Sequence, residues 1–420
     1  MKWTALSRLF HSRNFPLLWG GEFISTLGDR FHLMALPWLA LELSGSGTAL
    51  GLVLMMSMLP RAILTLYGGV LTDRICPRRL MVMSNIGRAI VTAWLAARVL
   101  TGTLGMWELY VIALVFGTFD AFFYPAYSAL LPQIVNTDQL AVGNAMLQGT
   151  AQFNSLIGPA MAGVAIAGLG IGTVLIVDVA SFIVSICTLT LLRVPAKLPS
   201  AFSEDGSPPA SMWQAAKEGF SYVARHKVIR VLLLPLAAIN LCVSGPFLVG
   251  TTWLAKYHFG RPEVYGSLLS AFALGSIAGT LITGAMKSHN RLGPAIIGPS
   301  VILGLSLAAL GLPLTQWMAM CTMFSAGAAA GFISVFVISV VQKSTLPQLL
   351  GRVLSMVMFS SAALTPVSYL VAGLVIKWGV SWLFLGASAA LLSLTLIASI
   401  SRSLWTKTSS LETSTAVDAA

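Results

Sequence analysis

Long apolar stretches alternate along the chain with short breaks carrying charge, glycine or proline. A run of about 20 apolar residues crosses the roughly 30 Å hydrocarbon core of a bilayer as a helix, whereas the strands of membrane barrels are about ten residues long and alternate in polarity. The pattern here is helical. It predicts spans over 15–42, 48–72, 80–100, 106–131, 142–167, 171–193, 228–256, 263–286, 292–312, 316–342, 353–376 and 380–402. The expected fold class is therefore an all-α polytopic membrane protein with twelve transmembrane helices.

Composition agrees with that pattern. Of 420 residues, 56% are hydrophobic and 9% charged, with a mean hydropathy of +0.85, whereas soluble domains carry about 25% charge. The net charge of +11 would suit nucleic acid only if it were clustered on a soluble surface, and it is not. Membrane topology explains it better. With the N-terminus inside, eighteen basic residues fall in inner segments and four (Arg98, Lys256, Arg261 and Lys377) in outer ones, which places both termini in the cytoplasm by the positive-inside rule. The basic start, Met1 to Arg13, precedes an apolar run too long for a signal peptide and reads as the lead-in to a retained first span. Cys76, Cys187, Cys242 and Cys321 are widely separated and form neither a disulfide framework nor a metal motif.

Between the sixth and seventh spans the sequence turns to Pro195, Pro199, Ser203, Glu204, Asp205, Gly206, Ser207, Pro208 and Pro209, a solvated linker. Behind it, Trp213, Phe220, Val223 and Ile229 interleave with Lys217, Arg225, Lys227 and Arg230. That pattern suits an amphipathic helix on the inner leaflet, or a plain charged connector. The organisation expected is a six-helix bundle over 1–193, a cytoplasmic linker over 194–227, a second six-helix bundle over 228–402, and a disordered cytoplasmic tail over 403–420.

The halves also match at one constant offset. A shift of 215 carries Trp38-Leu39-Ala40 onto Trp253-Leu254-Ala255, Gly51 onto Gly266, Gly69 onto Gly284, and Leu131-Pro132-Gln133 onto Leu346-Pro347-Gln348. A single register kept over separated places points to a duplicated six-helix unit, the plan of many secondary transporters.

The loop after the second span reads Gly69-Val70-Leu71-Thr72-Asp73-Arg74-Ile75-Cys76-Pro77-Arg78-Arg79. It resembles the signature G-x-L-a-D-r-x-G-r-r of the major facilitator superfamily, departing from it at Cys76 and Pro77. Ser25 to Asp29, the Phe-Tyr-Pro-Ala of Phe123 to Ala126, and the Leu-Pro-Gln repeats resemble the branch that includes enterobactin exporters and macrolide efflux proteins. The resemblance implies a gate at this loop, in which Gly69, Asp73, Arg74, Arg78 and Arg79 lock the outward-open state. Physically, Asp73 can bind a helix N-terminus by charge and dipole, and the arginines can hold carboxylates or lipid phosphates. Positive-inside topology alone would account for Arg78 and Arg79 but not for Asp73. The segment Gly158-Pro159-Ala160-Met161-Ala162-Gly163 resembles the tail of the antiporter motif G-P-x-x-G-G, with Ala162 in place of a glycine and Asn154 where an earlier one is expected. Generic helix packing explains Gly158, Pro159 and Gly163 equally well.

Ionisable residues inside spans are functional candidates, since placing one at the bilayer centre costs about 2.5–3.5 kcal/mol on insertion scales. Glu22 and Asp29 lie seven residues apart in the first span, on one helical face, with His32 close by. A carboxylate in an apolar cavity can take up and release protons in the physiological range, as a proton-coupled antiporter requires. For Asp29 a structural pairing with Arg30 or Arg61 competes with that role, for Glu22 a hydrated cavity wall, and for His32 ordinary core burial. Asp120 and Arg88 lie at similar depth on antiparallel spans, which suits a buried ion pair; the family resemblance offers Arg74 as a rival partner. Asp178 has no evident partner. Between Arg230 and Arg402 the only acidic residue is Glu263, so energy coupling is expected in the first half.

No phosphate-binding loop and no nucleophile–base pair occurs in the sequence, and neither ATP drive nor an enzyme is expected. The reading is a secondary active transporter without cofactor or metal, a proton-coupled exporter of a bulky small molecule such as a siderophore or drug. Its expected setting is the bacterial inner membrane, as a monomer in lipid, with substrate and protons as partners and no nucleic acid. Proton-coupled nutrient uptake, or a non-transporting role as receptor or assembly factor, are the alternatives.

Overall fold

A computed structural model describes residues 8–194, 237, 239–286, 292–344 and 363–400, with the side chains of 65–74, 292, 343, 344 and 398 outside that description. The linker from 195 to 227, the tail 403–420, and the side chains of Gly69, Asp73 and Arg74 thus lie outside it.

The described chain is helical. Its first five long helices are α1 (Asn14–Ser44), α2 (Gly47–Arg74), α3 (Pro77–Leu100), α4 (Met106–Ile134) and α5 (Leu140–Leu191). Turns of π-helix over Pro246–Gly250 and Leu254–Phe259 flank a short α-helical piece. Beyond them lie α6 (Pro262–Ala285), α7 (Leu292–Leu310), α8 (Gln316–Ser344), α9 (Ala363–Trp378) and α10 (Val380–Ile400). Eight helices of the described residues are long and apolar enough to cross a membrane. α1 joins them by length, since its 31 residues at about 1.5 Å each reach well past the hydrocarbon core.

Local chemistry sets the boundaries. α1 ends where Gly45 takes a left-handed conformation (φ 62°) and its N–H closes on the Leu41 carbonyl, as helix C-termini commonly do. Pro77 opens α3 at the first position, where no N–H is needed. At the start of α4 the Glu108 carboxylate accepts from the Gly105 N–H at 3.2 Å and is clamped by Arg98 through two bonds of 3.0 Å. The fifth and sixth spans read from the sequence are joined without a loop: α5 is continuous apart from Gly170, whose φ of 78° and ψ of 160° break it. Only glycine reaches that backbone region readily, so one residue turns the chain where a loop was expected.

Two compact units make up the fold, one drawn from Met1–Ser203 with Ala255–Ser270 and the other from Glu204–Leu254 with Ala271–Ala420. In the first, α1 packs along α5, α2 along α4, and α3 against both α4 and α5. A cluster of Phe15, Leu18, Leu80, Met81, Phe123, Leu130, Leu147 and Leu189 closes one end of this unit. In the second, α7 packs on α8 and α10. The sequence register is also visible in the elements, because α6 and α7 begin 215 residues after α2 and α3.

Candidate functional site

The ionisable residues of the first unit converge. α1 contributes Glu22, Asp29 and His32, α2 Arg61, α3 Arg88, α4 Asp120, and α5 Asp178. At the centre is Arg88, which is 0% exposed. Its Nη1 donates to both oxygens of Asp29, at 3.2 and 3.4 Å, and reaches Asp120 Oδ1 at 3.5 Å. Its Nη2 donates to the Asn85 side-chain carbonyl one turn earlier, and Asn85 in turn donates to Ser185 on α5 at 2.9 Å. Phe123 and Phe182 face the guanidinium at 4.2 and 4.7 Å from their ring centres, a favourable placement for a desolvated cation. Asp120 has a second partner in Arg61, whose Nη1 lies 3.2 Å from Oδ2.

This arrangement bears on the structural alternative for Asp29, a pairing with Arg30 or Arg61. The ion pairs place Asp29 on Arg88 of α3 and Arg61 on Asp120. For Arg30 the cause is simple: consecutive residues diverge by about 100° on a helix, so Asp29 and Arg30 leave α1 in different directions. Arg30 instead lays its Cβ and Cγ against Gly158, where an added Cβ would come within 2.7 Å. Glu22 is 3% exposed, and its Oε1 has no hydrogen-bond partner among the described residues.

Asp178, which had no evident partner, pairs with His32 at 3.4 Å. The His32 ring stacks on Phe116 with centroids 3.9 Å apart and an interplanar angle of 8°. Sequence reasoning also missed Asn85 and Asn154. The spacing of Asn85 three residues before Arg88 was the available signal, since that places both on one helix face. Asn154 sits where the motif resemblance expects glycine; it is fully buried and donates to the Phe23 carbonyl at 2.9 Å and to Thr26 Oγ1 at 2.6 Å, binding α5 to α1.

The antiporter-like segment serves close packing. An added Cβ at Gly163 would meet the Pro262 carbonyl at 2.7 Å, and one at Gly266 the Pro159 carbonyl at 2.2 Å. The Ala160 N–H donates to Ser270 Oγ at 3.2 Å. Among the gate residues, Arg78 donates from Nη1 to the Leu192 carbonyl at 2.6 Å, where α5 ends, and Arg79 is exposed. A cation at a helix C-terminus satisfies an orphan carbonyl and the dipole together.

Buried charge in a helical membrane unit, a duplicated register and the loop signature all suit one kind of protein. The family model of the Major Facilitator Superfamily matches residues 18–368. The chain belongs to that superfamily. Macrolide efflux protein A of Streptococcus pyogenes is 23% identical over 348 residues, covering 81% of this chain and 84% of that protein. The multidrug efflux pump Tap of Mycolicibacterium fortuitum is 26% identical over 389 residues, covering 88% and 91%. Among solved structures, a bacterial homologue of the iron transporter ferroportin in its inward-facing state superposes with a TM-score of 0.72 at 14% identity, covering 93% of this chain and 99% of that one. At that identity the likeness concerns the fold alone. This superfamily member is a multi-pass membrane transport protein and not an enzyme.

Proposed function

We propose that the chain is a proton-coupled exporter of a bulky small molecule. The observation that carries this reading is Arg88, a fully buried cation shared by Asp29 on α1 and Asp120 on α4. Three helices are thereby tied by one guanidinium, and the tie depends on the charge state of two carboxylates. Protonating Asp29 removes a charge-assisted bond and leaves Arg88 with Asp120 alone; α1 is then free to move relative to α3. Deprotonation restores the bond. A proton taken up at Asp29 thus changes which helix contacts are favourable, as an antiporter requires. Glu22, Arg30, His32 and Arg61 complete the polar lining of the same unit.

Efflux relatives support export, and their cargoes, macrolides and multiple drugs by name, support a bulky organic substrate. Arg30 and Arg61, the partly exposed arginines of this unit, lean that substrate toward negative charge or phenolic oxygens, as in a siderophore, whereas the enclosed Arg88 does not. The chain sits in the bacterial inner membrane as a monomer with both termini cytoplasmic, and its two six-helix halves, 1–193 and 228–402, are joined by a cytoplasmic linker. Asp73 and Arg74, with Gly69, Arg78 and Arg79, form the inner gate.

Everted membrane vesicles test this. With an acid interior, they should accumulate a substrate chosen from a panel of drugs and iron chelators, and a protonophore should abolish the accumulation. Proton-driven uptake in right-side-out vesicles instead would establish a nutrient symporter; no flux in either orientation would favour a receptor or assembly role.

A further inference from the structure

We infer that Asp178 and His32 form a second proton-binding site, separate from the Arg88 network and holding one proton shared between carboxylate and imidazole. The inference rests on the proton-coupled reading above and adds to it a site and a stoichiometric consequence.

Burial carries the first step. Asp178 is 0% and His32 4% exposed, yet Asp178 has no arginine or lysine within ion-pair distance among the described residues; its one such partner is His32. A buried carboxylate without a countercharge is costly. Histidine supplies a countercharge only when it carries a proton. The pair is therefore neutral with one proton bound, on either partner, and bears an uncompensated negative charge once that proton leaves. This differs from Asp29 and Asp120, whose partner Arg88 is charged in every state.

Geometry carries the second. His32 Nδ1 and Asp178 Oδ2 are 3.4 Å apart, but neither atom makes an aligned hydrogen bond, so a small rotation of the ring makes or breaks the proton-sharing contact. Phe116 covers the face of the imidazole and itself meets Phe182, with centroids 6.3 Å apart. Phe182 also backs the Arg88 guanidinium, so this aromatic pair stands between the two charged clusters. The Ser181 hydroxyl is engaged mainly with the Asp178 backbone carbonyl at 2.7 Å, leaving its contact with Oδ1 at 3.5 Å. Gly28 sets the approach of the helices: a Cβ there would fall 2.7 Å from Asp178 Oδ1 and 2.1 Å from Ser181 Oγ.

The surrounding charges bear on the site unequally. The elements packed against Asp178 carry Glu22, Asp29 and Arg30 on α1, Arg88 on α3 and Asp120 on α4. Of these, an ionised Asp29 repels and Arg88 attracts a negative charge on the Asp178–His32 pair, so protonation of Asp29 eases loss of the second proton; α1 holds both Asp29 and His32.

Two measurements test the site. Infrared difference spectra of purified protein between acid and alkaline buffer should show one protonation band, a carboxylic-acid carbonyl or an imidazolium ring mode, that disappears in Asp178→Asn and shifts or disappears in His32→Gln. In proteoliposomes, the substrate accumulation supported by a gradient of one pH unit should fall about tenfold for the one proton lost in Asp178→Asn and in the neutral double variant Asp178→Asn/His32→Gln. The double variant leaves no unpaired charge and separates loss of the proton from loss of folding. A band unchanged by Asp178→Asn, or full accumulation in the double variant, would overturn the site while leaving proton-coupled export standing. A band that vanishes as expected in a protein whose flux ignores the pH gradient would keep the site and sink the transport reading.

Discussion

Arg88 Nη1 stands 3.2 Å from Asp29 Oδ1, and this bond joins two helices whose residues are 59 positions apart in the chain. The guanidinium is fully buried while the carboxylate keeps about a third of its surface open, at 32%. The cation is thus fixed and the anion is the member that protons can reach. Charge switching at this pair belongs to Asp29.

Asp29→Asn should therefore reduce pH-gradient-driven export at least about tenfold, the factor that one proton contributes per pH unit, while the protein still inserts and folds. Transport in proteoliposomes with and without a gradient reads this directly. A variant that accumulates substrate like the parent would remove Asp29 as the coupling acid.

The two arginines bound to Asp120 differ in exposure, and their neutralisation should differ accordingly. Arg88→Gln takes the partner from Asp29 and one of two from Asp120, both half-buried, and should lower stability by about 1–3 kcal/mol. Arg61 is 44% exposed at its side chain, so Arg61→Gln should cost about 1 kcal/mol or less. Because Asp29 remains behind, Asp120→Asn combined with Arg88→Gln should restore stability only in part. Thermal unfolding in detergent ranks the variants; equal losses from Arg61 and Arg88 would contradict the burial argument.

Asp73→Asn should slow turnover and shift the balance between inward- and outward-open states without removing substrate binding. Thiol labelling of engineered cysteines on either side of the membrane follows the shift. Unaltered accessibility with parental turnover would reduce the loop to a topology signal.

Asn154→Gly would restore the glycine that the motif resemblance expects, yet it should destabilise the protein. The substitution removes donors to the Phe23 carbonyl and Thr26 hydroxyl, a loss of about 1–3 kcal/mol when buried groups are left unsatisfied. A melting temperature at or above that of the parent would show that the two bonds contribute nothing net.

The class of fold was legible in the order of residues. Apolar run length and the scarcity of charge dictate membrane helices, because backbone polar groups in lipid must be satisfied within each span. The duplicated register and the loop signature are likewise local in sequence and lead to the superfamily. The list of buried ionisable residues was also legible, since insertion cost makes each one conspicuous. Their partners were not. Asp29 with Arg88, Arg61 with Asp120, and His32 with Asp178 join different helices, and sequence fixes a residue's depth along its own helix but not its azimuth relative to a neighbour's. Azimuth is decided by packing, through close approaches such as Gly28 on Asp178 and Gly158 on Arg30. Only the tertiary structure therefore separates one charge network into an arginine-centred cluster and a carboxylate–imidazole pair.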